Sequence, residues 1–148
     1  MGKYFSFYEL IKSNTADKNS INNTPHEEKI IRNIEELMNI LDQLREEWGS
    51  PIRVNSGYRC EKLNKLVGGS TTSSHLFGCA VDLVPSNGNI DDFFEFVKNY
   101  FLLNNIPFDQ IIDEYSGNSH WVHIGLKNSK GEQRKQIKIY KNGKYYNL

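Results

Sequence analysis

One long stretch of helical periodicity constrains the fold of this chain more than any other feature. The segment Thr24-Pro25-His26-Glu27 has the pattern of an N-cap, a proline at the first helical position and a capping-box glutamate. Gly49 is a suitable residue to end the helix. The sequence therefore predicts an amphipathic helix between them that presents one apolar stripe to a core. The apolar residues of this stripe lie at positions 30, 31, 34, 37, 38, 41, 44 and 48.

Short strands and helices alternate irregularly along the rest of the chain. Asn142-Gly143, between two apolar-polar segments, predicts a hairpin with a type I′ turn. This mixture indicates an α+β fold with a small, mainly antiparallel sheet, flanking helices and a C-terminal β-hairpin. No repeat or long linker divides the 148 residues, so we expect a single domain over 1–148. Strands are predicted at 52–54, 79–84, 109–114 and 121–126, and helices at 60–67 and 91–103.

Charge is balanced over the whole chain but uneven along it. Eighteen basic residues match eighteen acidic ones, which argues against nucleic acid as the main partner. Residues 127–148 nevertheless hold seven Lys/Arg and one Glu, which leaves 11 basic and 17 acidic groups in the other 126 residues. This basic segment is either a solvated hairpin whose lysines protect a sheet edge or a patch that docks on an anionic polymer.

Several classes of protein are excluded by what the sequence lacks. No apolar run approaches the roughly 20 residues of a membrane span. The segment MGKYFSFYEL has no basic region followed by an apolar one, so we expect no signal peptide. Cys60 and Cys79 match neither a disulfide framework nor a paired zinc motif, so we expect two free thiols.

Three of the four histidines and one aspartate fall in two short segments. His75 precedes the predicted strand at 79–84, and Asp82 lies within it. A lone carboxylate in such an apolar strand is costly unless it is paired or binds a metal. His123 projects opposite the apolar residues of its strand. Two histidines and one aspartate suit a catalytic zinc with an open fourth position. From spacing alone, a purely hydrogen-bonded cluster remains the alternative.

Three ordered segments in the middle of the chain carry a family resemblance. They are Ser56-Gly57-Tyr58-Arg59, then Ser73–Asp82, which reads SSHLFGCAVD, then Trp121-Val122-His123. They resemble the SGYR, SxHxxGxAxD and WxH motifs of the zinc D-Ala-D-Ala carboxypeptidase family, which includes phage L-alanyl-D-glutamate endopeptidases. The stretch from Phe5 to Pro25 also resembles the opening of the small single-domain branch. The resemblance covers roughly residues 4–126.

The resemblance implies a fold like that of hedgehog and DD-peptidase domains. It implies a zinc peptidase domain over 1–148, with its motif core at 52–126 and a basic hairpin at 127–148. His75, Asp82 and His123 would bind Zn²⁺.

The resemblance also assigns the residues that contact substrate. Arg59 would bind substrate and either polarise its carbonyl or hold a carboxylate, because a fixed guanidinium suits both tasks. Ser73 would shape the loop and, with Tyr58, contribute to substrate binding.

The general base has three candidates. Several family members carry a Glu or His three residues before the last ligand, which here is His120. A regular strand would put His120 and His123 on opposite faces, so His120 qualifies only from a loop or bulge. Glu114 is the rival, and Asp113 is the third candidate. His120 is preferred at this stage.

The function implied is hydrolysis of peptide bonds in peptidoglycan stem peptides or crosslinks. We expect a monomeric phage or prophage lysin, made in the cytoplasm, that acts on the cell wall and meets an anionic wall polymer through its basic C-terminus. Two alternatives remain open: a catalytically inactive, metal-stabilised wall-binding module of the same fold, and a dipeptidase acting on free D-Ala-D-Ala.

Overall fold

A six-stranded open sheet organises the fold, which a computed structural model describes for residues 2–148. The strand order is β1-β2-β4-β3-β5-β6, and every neighbouring pair is antiparallel except β3 and β5. The predicted α+β class with a mainly antiparallel sheet is confirmed. The strands are β1 (Ile52–Ser56), β2 (Ala80–Pro85), β3 (Gln110–Ser116), β4 (Ser119–Gly125), β5 (Gln136–Lys141) and β6 (Lys144–Asn147). The helices are α1 (Phe7–Ile11), α2 (Asn14–Lys18), α3 (Glu28–Trp48), α4 (Glu61–Leu66), α5 (Ile90–Leu103) and a short 3₁₀ helix at Ser74–Phe77.

Helices α3 and α5 cover one face of the sheet and enclose the core with it. The predicted apolar stripe of α3 is confirmed, and the helix ends at Gly49, whose φ of 79° lies in the left-handed region that glycine tolerates. At the centre of the sheet, the strand residues that point towards the helices are fully buried. The buried residues of α3 are Ile34, Leu37, Met38, Leu41 and Leu44. Those of the sheet include Val81, Leu83, Ile111, Val122 and Ile124.

The start of α3 differs from the prediction. The helix begins at Glu28 with Glu27 as its N-cap, and Thr24–Glu27 are not helical. Asn23, just before this segment, is buried, and its amide donates to the carbonyls of Ile11 and Tyr58 and accepts from the Cys60 N–H. These tertiary hydrogen bonds hold the chain extended past the local capping signal, so that the predicted Thr24 cap is wrong.

Helix α1 supports the loop that follows β1. Ser6 and Glu9 form a capping box at its start, which the sequence analysis did not identify. The Tyr58 N–H donates to the Leu10 carbonyl at 2.8 Å. A Cβ at Gly57 would overlap that carbonyl oxygen, so only glycine permits this close approach.

The C-terminal hairpin extends the sheet beyond β3. Asn142 and Gly143 have φ of 53° and 73°, which confirms the predicted turn. Strand β5 runs parallel to β3, with Glu114 beside Tyr140. The sheet face opposite α3 and α5 carries Asp82 and His123, which are paired across β2 and β4. Within residues 2–148, every helix is too short or too polar to cross a membrane.

Candidate metal centre

His75, Asp82 and His123 converge on the sheet face that the helices leave open. Asp82 and His123 are cross-strand partners in β2 and β4, and His75 comes from the 3₁₀ helix that precedes β2. One ligand atom from each residue lies within 4.8 Å of the other two. The alternation within β2 puts Asp82 opposite Val81 and Leu83, as the sequence predicts.

The ring of His75 is held in a single orientation. Its Nδ1 donates to the Gly57 carbonyl oxygen at 2.7 Å, which leaves Nε2 as a lone-pair donor 3.4 Å from Asp82 Oδ2. The residue is 3% exposed, and burial lowers the pKa of its imidazole, so the neutral form is favoured. Metal-binding histidines in proteins characteristically make such a bond through the second nitrogen.

Asp82 and His123 complete a set of three ligands. His123 Nδ1 is 2.9 Å from Asp82 Oδ1. Burial alone would raise the pKa of Asp82, but the two histidines outweigh burial and lower it, so the carboxylate is ionised. Tetrahedral zinc binds nitrogen and oxygen at about 2.0–2.2 Å, which places ligand atoms about 3.3–3.6 Å apart. The two histidine nitrogens lie 2.9 and 3.4 Å from the Asp82 carboxylate, close to this range, and the N, N, O donor set suits Zn²⁺ with one position left open.

Arg59 is fixed beside this cluster. Its Nε donates to Ser56 Oγ at 3.3 Å and its Nη1 to Asn64 Oδ1 at 3.0 Å. Nη2 lies 4.0 Å from Asp82 Oδ2. Burial lowers the pKa of this guanidinium, and Asp82 and Glu114 oppose that effect. The side chain thus presents a pre-oriented cation next to the three ligands.

Glu114 faces the same cluster from β3. It shares a sheet face with His123, and its Oε1 is 3.6 Å from His123 Nδ1. Burial raises the pKa of its carboxyl to about 7. A carboxyl group with such a pKa can both accept and return a proton near neutral pH.

His120 lies on the other face of the sheet. It belongs to regular β4, which pairs with β3 without a bulge from Ser116/Ser119 onwards. His120 therefore lies in neither a loop nor a bulge, and its side chain points away from the candidate ligands. Its Nε2 bonds to Asp113, and its ring stacks on Tyr115 with 3.8 Å between centroids. Asp91 adjoins this second cluster. The structure therefore brings Glu114, and neither His120 nor Asp113, to the candidate ligands.

Ser73 and Tyr58 have different surroundings. Ser73 lines the cleft above the ligands, and its hydroxyl accepts from the His75 N–H at 3.2 Å. Tyr58 is 8% exposed and lines a separate cavity of about 810 Å³ along β1, to which none of the three candidate ligands contributes. Arg59 borders both cavities.

The metal cleft, as we name the cavity above His75, Asp82 and His123, has a volume of about 640 Å³. Its wall includes three aromatic residues that the sequence analysis did not assign to the site: Trp121, Tyr140 and Tyr145. Trp121 stands in the WxH segment, and each of the two tyrosines stands next to a lysine in the hairpin. The apolar–polar pattern of the hairpin predicts strands but does not reveal which strand lies next to them.

Both cysteines are free thiols, as expected. Cys79 is buried, and burial raises the pKa of its thiol to about 11. Such a thiol is almost entirely protonated at neutral pH and is a poor nucleophile.

A family model described as peptidase M15 matches residues 3–125, which is most of the chain. No curated protein matches the sequence. The matched region contains the three candidate ligands, Arg59 and Glu114, and it ends at the last residue of β4. Strands β5 and β6 lie beyond it.

Proposed function

The chain belongs to the peptidase M15 family of metallopeptidases, and we propose that it is a zinc-dependent peptidase that hydrolyses peptide bonds in peptidoglycan stem peptides or crosslinks. The observation that carries this proposal is the set of His75 and Asp82, which are buried, and His123, which is partly buried, in one cleft. The proposal extends to a phage or prophage lysin that acts on the cell wall, for which the support is the resemblance of the sequence motifs.

Three side chains would hold the metal. His75 would bind through Nε2, because its Nδ1 is committed to Gly57, and His123 would bind through Nδ1, which faces Asp82. Asp82 would supply one carboxylate oxygen. When bound, zinc lowers the pKa of water and polarises a carbonyl group.

Glu114 acts as the general base in this proposal. Its carboxylate takes a proton from the attacking water and returns it to the nitrogen of the leaving amine. The pKa of about 7 comes from burial, and a cation held by the three ligands would lower it and favour the ionised carboxylate, which is the form that accepts a proton.

Arg59 binds the substrate on the other side of the ligands. Its guanidinium can donate to the oxygen of the scissile carbonyl, where negative charge develops, or to a substrate carboxylate. Since Ser56 and Asn64 already orient the side chain, little reorganisation is needed when substrate binds.

The experiment is digestion of purified sacculi, followed through the release of new amino groups. We compare the wild type with Glu114→Gln and, as a matched control from the other sheet face, His120→Ala. Loss of a general base costs about 10²–10⁴-fold in rate. We expect a loss of that size in Glu114→Gln and near-normal cleavage in His120→Ala.

Other results would redirect the proposal. A zinc-loaded wild type that cleaves no wall substrate would instead indicate a metal-stabilised wall-binding module. Cleavage of free D-Ala-D-Ala without cleavage of sacculi would indicate a dipeptidase. If His120→Ala abolished cleavage and Glu114→Gln did not, the assignment of the base would be wrong.

A further inference from the structure

A row of side chains crosses four strands on the open face of the sheet. Glu114 of β3 pairs with Trp121 of β4 on one side and with Tyr140 of β5 on the other. Tyr140 in turn pairs with Tyr145 of β6. Paired residues of neighbouring strands project to the same face. The two tyrosines thus continue outward the row that contains the proposed base.

Tyr140 and Tyr145 form one aromatic surface, which we call the tyrosine platform. Their ring centroids are 4.6 Å apart and their planes are tilted by 49°. Both rings line the metal cleft, and Tyr145 is 58% exposed. The Lys138 ammonium lies 5.6 Å from the centroid of the Tyr145 ring. This exposure beside a cleft leaves the Tyr145 ring accessible to a ligand.

The tyrosine platform belongs to the hairpin and not to the family core. The family match ends at residue 125, and β5 and β6 follow it. The metal ligands, Arg59 and Glu114 are complete without the hairpin. The hairpin therefore adds surface to the cleft without adding a reacting group, which is what a binding subsite does.

We propose that the tyrosine platform binds a sugar ring of the glycan to which the stem peptide is attached. A tyrosine ring offers a flat apolar face with a hydroxyl at its edge. A pyranose offers a matching face of C–H groups with hydroxyls around its rim. This inference rests on the proposed function, since it assumes that the substrate is a glycan-linked peptide.

Distance supports the same occupant. Strands lie about 4.8 Å apart, so two strand spacings separate Glu114 from Tyr145, or roughly 10 Å. An extended peptide advances about 3.3 Å per residue. About three extended residues therefore span the distance from a sugar on the tyrosine platform to a peptide bond beside Glu114. Cleavage is thus favoured at bonds close to the point where the stem peptide joins the glycan.

The test measures equilibrium binding by calorimetry with proteins that all carry Glu114→Gln, so that ligand is not consumed. The two ligands are a disaccharide-linked stem peptide and the same peptide without sugar. We compare three further changes: Tyr145→Ala, Tyr145→Phe, which keeps the ring, and Tyr146→Ala. Tyr146 is the matched control, because it is 50% exposed on the same strand but pairs with Ile139 on the opposite face.

We expect Tyr145→Ala to raise the Kd for the disaccharide-linked peptide about 3- to 10-fold, the range of one aromatic contact, without changing the Kd for the free peptide. Tyr145→Phe keeps the ring face and loses only the edge hydroxyl, so it should raise the Kd for the disaccharide-linked peptide less than Tyr145→Ala does, and Tyr146→Ala should leave both Kd values unchanged. An unchanged Kd in Tyr145→Ala would overturn the proposal, and so would an equal rise for both ligands. Failure of the peptidase proposal is distinguishable: the protein with native Glu114 would then cleave neither ligand, whatever the binding results.

Discussion

Asp113 and Glu114 are adjacent acids in β3, yet their carboxylates lie on opposite faces of the sheet. Glu114 faces the three candidate ligands, whereas Asp113 pairs with His120 on the other face. The sequence named all three candidates for the base and favoured His120, but it could not show which of them faces the ligands. The choice depends on strand register, which is a property of the pairing between β3 and β4. Because β4 is already regular at His120, the geometry favours Glu114 over His120 as the base.

Gly69 lies against the side chains of Asn64 and Arg59, and this leads to a prediction. A Cβ at Gly69 would overlap Asn64 Oδ1 and lie 2.8 Å from Arg59 Nη1. Gly69→Ala should therefore displace the guanidinium and lower kcat/KM by up to about 10²-fold, the cost of a misplacement of about 1 Å. Bound zinc should not change. Kinetics on a soluble stem peptide, with metal analysis, would check this.

Gly68→Ala is the control for that prediction. Nothing lies within 4 Å of a Cβ at Gly68, although its φ of 75° makes the substitution strained. It should lower stability modestly and leave kcat/KM unchanged. Equal kinetics in the two variants would show that Arg59 is not positioned through Asn64.

The two thiols should differ in reactivity. Cys79 is buried with a pKa raised to about 11, whereas Cys60 is partly exposed. Since the thiolate is the reactive form, iodoacetamide at neutral pH should modify Cys60 well before Cys79. Mass spectrometry of the native protein over time would test this order, and preferential labelling of Cys79 would contradict the assigned burial.

At the scale of elements, local patterns were informative where one segment decides the outcome. The apolar stripe of α3, its end at Gly49 and the turn at Asn142-Gly143 follow from periodicity and from backbone conformation. The start of α3 was mispredicted because Asn23 makes hydrogen bonds to three distant residues. The parallel pairing of β5 with β3 also depends on distant contacts, so the tyrosine platform could not be foreseen from the hairpin alone.

Asp109 and Arg134 connect β3 to the segment before β5. Asp109 is 1% exposed, and Arg134 donates to its carboxylate from Nε at 2.8 Å and from Nη2 at 2.9 Å. The backbone N–H of Arg134 donates to it as well. The pair spans 25 residues, so no local pattern reveals it. It brings β5 alongside β3.

Removing this pair should destabilise the protein. Arg134→Ala leaves a buried carboxylate without its cation, and hydrogen bonds to charged groups contribute about 1.5–3 kcal/mol. We expect the free energy of unfolding in urea to fall by about that amount. Exposed Lys130 is the control, and Lys130→Ala should change it by less than about 0.5 kcal/mol. Equal stability of the two variants would mean that the pair does not hold β5 in place.

At the scale of the whole molecule, one face of the sheet forms the core and the other carries the candidate site. One face packs against α3 and α5 and is fully apolar at its centre, while the other carries Asp82, His123 and Glu114. The sequence motifs identified the proposed metal ligands on the second face, because their spacing matches that of the peptidase family. That this face extends over six strands could not be predicted from the sequence and is seen only in the structure.

Metal binding should therefore be visible in global stability. A ligand that binds only the folded state at a thousand times its Kd stabilises it by about 4 kcal/mol. For a chain of this size that corresponds to roughly 10 °C in Tm. Chelation should lower the Tm of the wild type by this order and have little effect on His123→Ala. A Tm insensitive to chelation in a metal-loaded wild type would contradict the coupling.

The most direct test of the central claim is the zinc content of the purified protein, measured by elemental analysis on the wild type, His123→Ala and His120→Ala. We expect one zinc per chain in the wild type and in His120→Ala, and a loss of zinc in His123→Ala. Absence of zinc from the wild type would contradict the assignment of His75, Asp82 and His123 as zinc ligands. Zinc retained by His123→Ala and lost from His120→Ala would assign the metal to the cluster of Asp91, Asp113 and His120 instead.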